Sequence, residues 1–249
     1  MSDKVGRCGV AVVLGAALVA AATQACTPKS KDEAGPTRSE SALGETTSTV
    51  GSGLVISQIY GGAGTRGAPM NRAYVELFNR TREPIPLQGL SIHYAGPISE
   101  FGLAGHLPQD AVIPPGGYYL VGFIAGQAGL DVRPDAAGLS VSILPVNGKV
   151  ALVKTLVEDS GDAQAQKMGC GSADAGTCVG NARVLDVVGY GVTTDHEGPT
   201  TADPPTFKTA LYRKGDGCID TGSNNDDFEV GEPKPRTAAS PVHVCEGTP

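Results

Sequence analysis

Leu54–Arg80 has the sequence LVISQIYGGAGTRGAPMNRAYVELFNR, and this stretch fixes the fold class of the chain. Its two ends, Leu54–Tyr60 and Tyr74–Asn79, are rich in β-branched and aromatic residues, as β-strands are. Glycines and a proline fill the segment between them, which indicates a crossing between strands. We therefore expect an all-β domain that begins near Leu54.

The crossing contains Gly62–Gly67, GAGTRG, which matches the GxGxxG spacing of dinucleotide-binding loops. In those loops a helix begins at the motif, and its N-terminus meets the pyrophosphate. Here Pro69 follows two residues later, and the next predicted element is the strand Tyr74–Asn79. The motif therefore predicts no nucleotide site, and we expect no cofactor.

Further strands are indicated downstream. In Leu90–Tyr94 apolar residues alternate with polar ones, the period of a strand with one face in water, so His93 is expected to point outward. Ser140–Leu144 and Lys149–Lys154 flank Asn147-Gly148, and Asn-Gly is the strongest short hairpin signal. These two segments are expected to pair.

The opening blocks VISQIYGGAG and YVELFN are followed, in order, by LQGLSIHY (87–94), PGGYYLV (115–121), GKVALV (148–153), VLDVVGYG (184–191), ALYRK (210–214), DF (227–228) and PKPR (233–236). In these blocks the chain resembles the lamin tail domain family, which occurs in nuclear lamins and in many secreted bacterial proteins. The resemblance implies an immunoglobulin-like β-sandwich of about nine strands over residues 54–245. Bacterial members usually have a tryptophan where this chain has Leu90, and the chain contains no tryptophan.

Residues 1–25 have the order of an export signal: a short basic start, an apolar run that ends at Ala22, and small residues. The apolar run is too short for a permanent membrane span. Thr23-Gln-Ala-Cys26 resembles a bacterial lipobox, in which the cysteine is lipidated and becomes the mature N-terminus. We predict lipidation of Cys26, with cleavage after Ala25 and full secretion as the alternative.

Residues 26–53 are rich in Thr, Ser, Glu, Gly and Pro and contain no apolar cluster, so we predict a flexible tether. A tether suits a module that is anchored by lipid at the outer membrane or the cell surface. The formal charge is −7, and it becomes −8 without residues 1–25, which contain Lys4, Arg7 and Asp3. An acidic domain gains little from neutralising phosphates, so nucleic-acid binding is not expected.

Few residues are arranged for catalysis. The four histidines are scattered at 93, 106, 196 and 243, and no serine lies in a GxSxG elbow. Asp195-His196-Glu197 is the densest titratable cluster, but it lacks the i, i+4 histidine pair of a zinc helix. We expect neither a catalytic nor a metal site. Asp186, inside an apolar run, is expected to bond backbone amides or an arginine such as Arg213.

Removal of residues 1–25 and lipidation of Cys26 would leave four cysteines, which is the number for two disulfides in an exported protein. Three pairings are possible. We favour Cys170–Cys178, which would close a polar loop, and Cys218–Cys245, which would tie down the C-terminal tail. Bacterial relatives often have a cysteine near Asp195, where it could pair with the equivalent of Cys218, and its absence here makes Cys245 the substitute.

Asp220–Phe228 has the sequence DTGSNNDDF, which invites a calcium hypothesis. An EF-hand count from Asp220 places Asn225 at the turn glycine and Gly231 at the bidentate glutamate, so the loop lacks a strong ligand. The alternative is structural: Asp220 and Asn224 would bond backbone amides in local turns, and Phe228 would be buried. Asp227 would then pair with Arg213 or Arg236, and we favour this structural reading.

Two classes of function remain. The first is a non-enzymatic envelope lipoprotein whose domain binds a protein, a glycan or a matrix component. The second is a secreted hydrolase or metal-dependent enzyme that uses the Asp195–Glu197 loop. The sequence favours the first, because no set of residues with the spacing of a known catalytic site accompanies that loop.

Overall fold

The computed structural model describes residues 53–139, 141–155 and 168–246. The predicted export signal, Cys26 and nearly all of the predicted tether lie outside these residues. Among the described residues, no helix is long and apolar enough to cross a membrane. The described part is nearly all β, which confirms the predicted class.

Twelve strands are found in the described part of the chain. They are β1 (Leu54–Tyr60), β2 (Arg72–Asn79), β3 (Ile85–Pro86), β4 (Leu90–Ala95), β5 (Gly102–His106), β6 (Val112–Ile113), β7 (Tyr118–Ala125), β8 (Ala136–Leu139), β9 (Gly148–Lys154), β10 (Val184–Tyr190), β11 (Ala210–Arg213) and β12 (Phe228–Gly231). In the same described residues, helical structure is limited to a 3-10 turn at Gly215–Gly217 and one α-helical turn, α1, at Asn224–Asp227. The count exceeds the expected nine, and four strands that the sequence pattern does not mark, β3, β5, β6 and β8, have five residues or fewer.

The strands form three sheets. A six-stranded sheet has the order β12-β11-β1-β2-β7-β8, a four-stranded sheet has the order β10-β9-β4-β5, and β3 pairs with β6. All pairs are antiparallel except β7 with β8. The opening pair forms as expected, with Leu54 opposite Asn79 and Tyr60 opposite Tyr74.

No helix follows the glycine crossing between β1 and β2 in residues 61–71. The crossing instead approaches another loop, because a Cβ built on Gly62 would lie 2.1 Å from the carbonyl oxygen of Phe207. Only glycine fits such a close backbone contact. Gly62 therefore serves packing at the end of the six-stranded sheet.

The two large sheets share one apolar core. Ile59, Val75 and Val121 contribute to it from the six-stranded sheet, and Ile92 and Leu152 contribute from the four-stranded sheet. Alternate side chains along each strand point away from this core, as the period of two requires. The outer faces of the central strands are also covered, so β1, β2, β4 and β9 are buried on two sides.

The outer face of the four-stranded sheet is covered by Phe101 and by the loop that contains Cys170 and Cys178, which pack on Ala151 and Val187. This cover explains why the expected exposure of His93 is wrong. His93 is buried, with its ring Nε2 3.1 Å from the Ser91 hydroxyl oxygen. The period of two predicted the strand correctly, but it does not reveal that a distant loop shields the second face.

The expected hairpin around Asn147-Gly148 is also wrong. Residues 141–144 of the predicted segment Ser140–Leu144 form no strand, and β9 pairs with β4 and β10. The strand that precedes β9 is β8, and it joins β7 in the other large sheet. Asn147 serves a different purpose, because its side-chain oxygen accepts a hydrogen bond from Val192 N at 2.8 Å. Asn147-Gly148 has the residues of a hairpin turn, but between β8 and β9 the chain crosses from one large sheet to the other.

Candidate functional site

A buried ion pair joins the two large sheets. Asp186 of β10 accepts hydrogen bonds from Arg213 Nη2 of β11 on both carboxylate oxygens, at 2.9 and 2.8 Å. Irregular registers in β1, between Ile56 and Gln58, and in β10 accompany this contact. Ile56 N donates to Asp186 at 2.7 Å, and Ile56 O accepts from Arg213 Nε at 3.0 Å. The predicted partners of Asp186 are therefore confirmed.

The same guanidinium meets two further carboxylates. Arg213 Nη1 lies 3.0 Å from Asp220 Oδ1 and 3.6 Å from Asp227 Oδ2, and the arginine side chain is fully buried. Arg80 pairs with the other oxygen of Asp220 at 2.5 Å. We call Arg213, Asp186, Asp220 and Asp227 the arginine centre. Its central positive charge compensates the charges of the three carboxylates.

The rest of the acidic loop also serves structure. Asp227 accepts hydrogen bonds from Thr221 N and Thr221 Oγ1 at 2.9 and 2.7 Å. Phe228 is 3 % exposed and has the Arg213 guanidinium 4.6 Å from its ring centroid. Phe228 is buried and Asp227 lies beside Arg213, and both observations agree with the structural alternative.

Two details of that alternative are wrong. Asp220 pairs with arginines instead of bonding backbone amides. Asn224 bonds distant segments instead of a local turn: its Oδ1 accepts from Gly189 N and Glu197 N, and its Nδ2 donates to Val187 O. Asn224 thereby satisfies backbone groups along β10, which is an edge strand of its sheet. Arg236, the other candidate partner of Asp227, pairs elsewhere.

Calcium is expected to have little effect on stability. Asp220 and Asp227 are already bound by arginine or by backbone amides, so an ion would have to displace Arg213. We expect the melting temperature to differ by less than about 2 °C between excess EDTA and millimolar Ca²⁺. A rise of ten degrees or more with Ca²⁺, measured by differential scanning fluorimetry, would contradict this.

Asp195, His196 and Glu197 do not converge on one point. Asp195 is buried and accepts hydrogen bonds from the Thr177 hydroxyl and, at 2.7 Å, from Cys178 N, so it holds the disulfide loop. Glu197 points to Asn224, whose Nδ2 lies 3.4 Å from its carboxylate. Among the described residues, no group of three or more His, Cys, Asp or Glu side chains is placed to hold a metal ion.

Glu197 has an unusual acidity. Burial, together with the negative charges of Asp186, Asp220 and Asp227, raises its pKa to about 8, and Arg213 opposes the shift. Burial also raises the pKa of Asp186, again opposed by Arg213. The region therefore retains a proton near neutral pH.

Stability is accordingly expected to fall as pH rises. Because the pKa of Glu197 is about 8 in the folded protein and about 4.3 in an unfolded chain, the folded state binds the extra proton between these values. This contribution is complete below the unfolded pKa and is lost as pH rises through 8. The free energy of unfolding can fall by at most about 1.4 kcal/mol per pH unit through this group, and solvent screening reduces that value because Glu197 is half-buried.

Thermal melts from pH 5 to pH 9 measure this effect. Glu197→Gln should flatten the profile and raise the melting temperature at pH 9 by about 3 °C relative to the parent. Glu229→Gln, at an exposed position on β12, is the control and should follow the parent profile. A Glu197→Gln profile that matches the parent would contradict the assignment.

A second buried charge was missed by the sequence analysis. Glu76 of β2 is fully buried on the outer face of the six-stranded sheet. Arg236 donates to it from N, Nε and Nη2 at 2.7, 3.1 and 2.8 Å. The Arg236 guanidinium also lies 3.9 Å from the ring centroid of Tyr118. The position of Glu76 within an apolar run was the sequence signal for a buried charge, and residues 233–236 supply its partner.

Both favoured disulfides are present. Cys170 is bonded to Cys178 with a Cα–Cα distance of 5.2 Å, and Cys218 is bonded to Cys245 at 5.5 Å. The first closes the loop on the four-stranded sheet, and the second holds the C-terminal segment. Disulfides indicate an oxidising, extracytoplasmic environment.

No family model matches the sequence, and no curated protein matches it. Among solved structures, the chain is similar to a DUF4876 family protein from Bacteroides thetaiotaomicron VPI-5482, with a TM-score of 0.44 and 12% sequence identity. The alignment covers 80% of this chain and 75% of that chain. A likeness at this level carries no argument about family or activity.

Proposed function

We propose that this chain is a non-enzymatic lipoprotein of the bacterial cell envelope, anchored through Cys26, whose lamin tail-like, immunoglobulin-like β-sandwich is a binding or structural module. One observation carries the proposal. The arginine centre is buried, its charges are paired, and it joins the two large sheets. Such a centre supports a fixed scaffold on which loops present a binding surface.

The loops offer a site for a partner. A cleft of 540 Å³ lies beside the glycine crossing and is lined by Pro69, Met70, Leu130, Lys208 and Glu232, among others. Its size is within the range of ligand sites, and it combines apolar walls with one cation and one carboxylate. A protein, a glycan or a matrix component would meet this surface. A pull-down from envelope extract with the domain that begins near Gly53 would identify the partner.

The anchor has its own test. Growth of the native host with a radioactive fatty acid should label the chain, and Cys26→Ser should abolish the label. Each buried methylene contributes about 0.8 kcal/mol, so several acyl chains hold a protein firmly. Cys8→Ser is the matched control, because Cys8 lies within the predicted signal and its loss should leave the label intact. A Cys26→Ser protein that still carries label would refute lipidation at this residue.

The enzymatic alternative retains one favourable feature, the raised pKa of Glu197, since catalytic acids often have shifted pKa values. A broad phosphoesterase and peptidase screen, with a metal analysis of the purified domain, separates the two proposals. Activity that Glu197→Gln removes, while the variant stays folded, would overturn the non-enzymatic proposal.

A further inference from the structure

The outer face of the six-stranded sheet is covered by the C-terminal residues 232–246, which we call the strap. Three side chains on that face, Gln58, Glu76 and Tyr118, receive it, and we call them the cradle. Gln58 Nε2 donates to Lys234 O at 3.0 Å and its Oε1 accepts from Lys234 N at 3.2 Å. Gln58 of the cradle thus binds both the backbone N–H and the carbonyl oxygen of Lys234.

The cradle also selects an arginine. Glu76 binds the backbone amide and the guanidinium of Arg236, and Tyr118 lies against that guanidinium while its hydroxyl accepts from Nη1 at 2.8 Å. A planar guanidinium that meets a carboxylate and an aromatic ring is a specific arrangement, which lysine does not reproduce. The cradle therefore recognises an extended segment that places an arginine two residues after a backbone anchor.

Outside the cradle, the strap is held mainly by polar contacts. Within residues 232–246 only Pro233 and Cys245 are buried, and the remaining residues are half-buried or exposed. The Tyr212 hydroxyl donates to Glu232 O, and Arg236 Nη1 pairs with Asp216 at 2.9 Å. Ala238 N donates to Asp135 and His243 N donates to Gly116 O, at 2.9 and 2.8 Å. Segments with few apolar contacts open at lower cost than core strands, and the disulfide at Cys245 adds a covalent hold.

An open cradle needs a cover. Glu76 is fully buried and would lose its counter-charge, and the stacked rings of Phe78 and Tyr118, 4.8 Å apart, would meet water. The segment with the right chemistry is the strap of a second copy, because it carries the same Lys234 anchor and the same arginine. Exchange of an identical element is a low-cost route to a dimer.

We propose that the cradle accepts the strap of a second copy of this chain, so that two chains exchange straps wherever Cys218–Cys245 is not closed. Within one chain the strap follows β12 directly, which gives its own cradle a high effective concentration of it. Closure of the disulfide then fixes the strap on its own sheet. Exchange therefore has to precede closure of that disulfide within one chain.

Two variants of the full chain test this, both with Cys218→Ser and Cys245→Ser. The first adds Arg236→Ala, so its cradle is intact but its strap lacks the arginine. The second adds Glu76→Gln, so its strap is intact but its cradle lacks the carboxylate. Sedimentation should find each alone as a monomer and an equimolar mixture as a species of twice the mass. The control is a mixture of the Arg236→Ala variant with a variant that carries both Arg236→Ala and Glu76→Gln. No strap in this mixture has the arginine, so it should remain monomeric.

A peptide measurement keeps the proposal testable if Glu76→Gln does not fold. A labelled peptide of residues 231–246, with serine at 245, should bind the Arg236→Ala variant saturably by fluorescence anisotropy. The same peptide with Arg236→Ala should bind at least tenfold more weakly. Equal binding of the two peptides, or a mixture of folded variants that stays monomeric, overturns the proposal.

Discussion

Arg213→Ala is expected to lower the free energy of unfolding by about 4 kcal/mol or more. The substitution leaves Asp186, Asp220 and Asp227 near one another without the charge that lies between them. Loss of one partner of a buried ion pair costs about 3–5 kcal/mol, because the remaining charge is buried and uncompensated. Here three carboxylates lose a partner, so the loss should lie at the upper end of that range. Guanidinium chloride unfolding at pH 7 measures it.

Two controls make the result specific. Arg133→Ala removes an ion pair with Asp131 in which the side chains are 91% and 63% exposed, and it should change stability by less than about 0.5 kcal/mol. Arg213→Lys keeps the charge but loses the two-pronged contact with Asp186, and it should fall between the two alanine variants. If Arg213→Ala costs no more than Arg133→Ala, the arginine centre does not hold the sheets together.

The pH dependence of Arg213→Ala adds a second readout. Without the guanidinium the pKa of Asp186 should rise further, because Arg213 is the charge that opposes the effect of burial on that carboxyl. The deficit relative to the parent should therefore shrink as pH falls from 7 to 5. A deficit that is constant with pH would indicate lost packing and not uncompensated charge.

The sequence predicted those features that depend on local pattern or on a general rule. β1 and β2 follow from runs of β-branched and aromatic residues, and both formed as expected. The partner of Asp186 follows from the rule that a buried carboxylate must be bonded, although the rule left several partners possible. The disulfides follow from the number of cysteines, together with the choice of short-range closure for Cys170 and Cys178.

The features that the sequence missed depend on contacts between distant segments. Glu76 and Arg236 are separated by 160 residues, and no local pattern relates them. His93 lies opposite Ala151, which packs under a loop that follows β9, and the sequence of the strand does not reveal this cover. Asn224 is of a residue type that is common in local turns, but its side chain forms hydrogen bonds to β10. In each case tertiary packing overrides the local signal.

Phe228→Ala is expected to destabilise the protein by about 3–5 kcal/mol. Phe228 begins β12, is 3 % exposed and belongs to the core shared by the two large sheets. Removal of a buried aromatic ring costs the transfer free energy of the lost atoms and the cavity that remains. The ring also faces the Arg213 guanidinium at 4.6 Å, so a cation–π contact of about 1–2 kcal/mol is lost with it. Urea unfolding at pH 7 measures the loss, and an unchanged m-value would show that the unfolded state is unaffected.

Phe228→Leu separates the two contributions. Leucine fills most of the space, so its packing cost should be less than about 1.5 kcal/mol, and any further loss reports the contact with Arg213. Phe207 is only half-buried, with Lys208 Nζ 5.6 Å from its ring centroid, and Phe207→Ala should cost less than half as much as Phe228→Ala. Equal losses at the two positions would mean that Phe228 is not a core residue. A double variant with Arg213→Ala should then lose less than the sum of the single losses, because each substitution removes the same contact between ring and guanidinium.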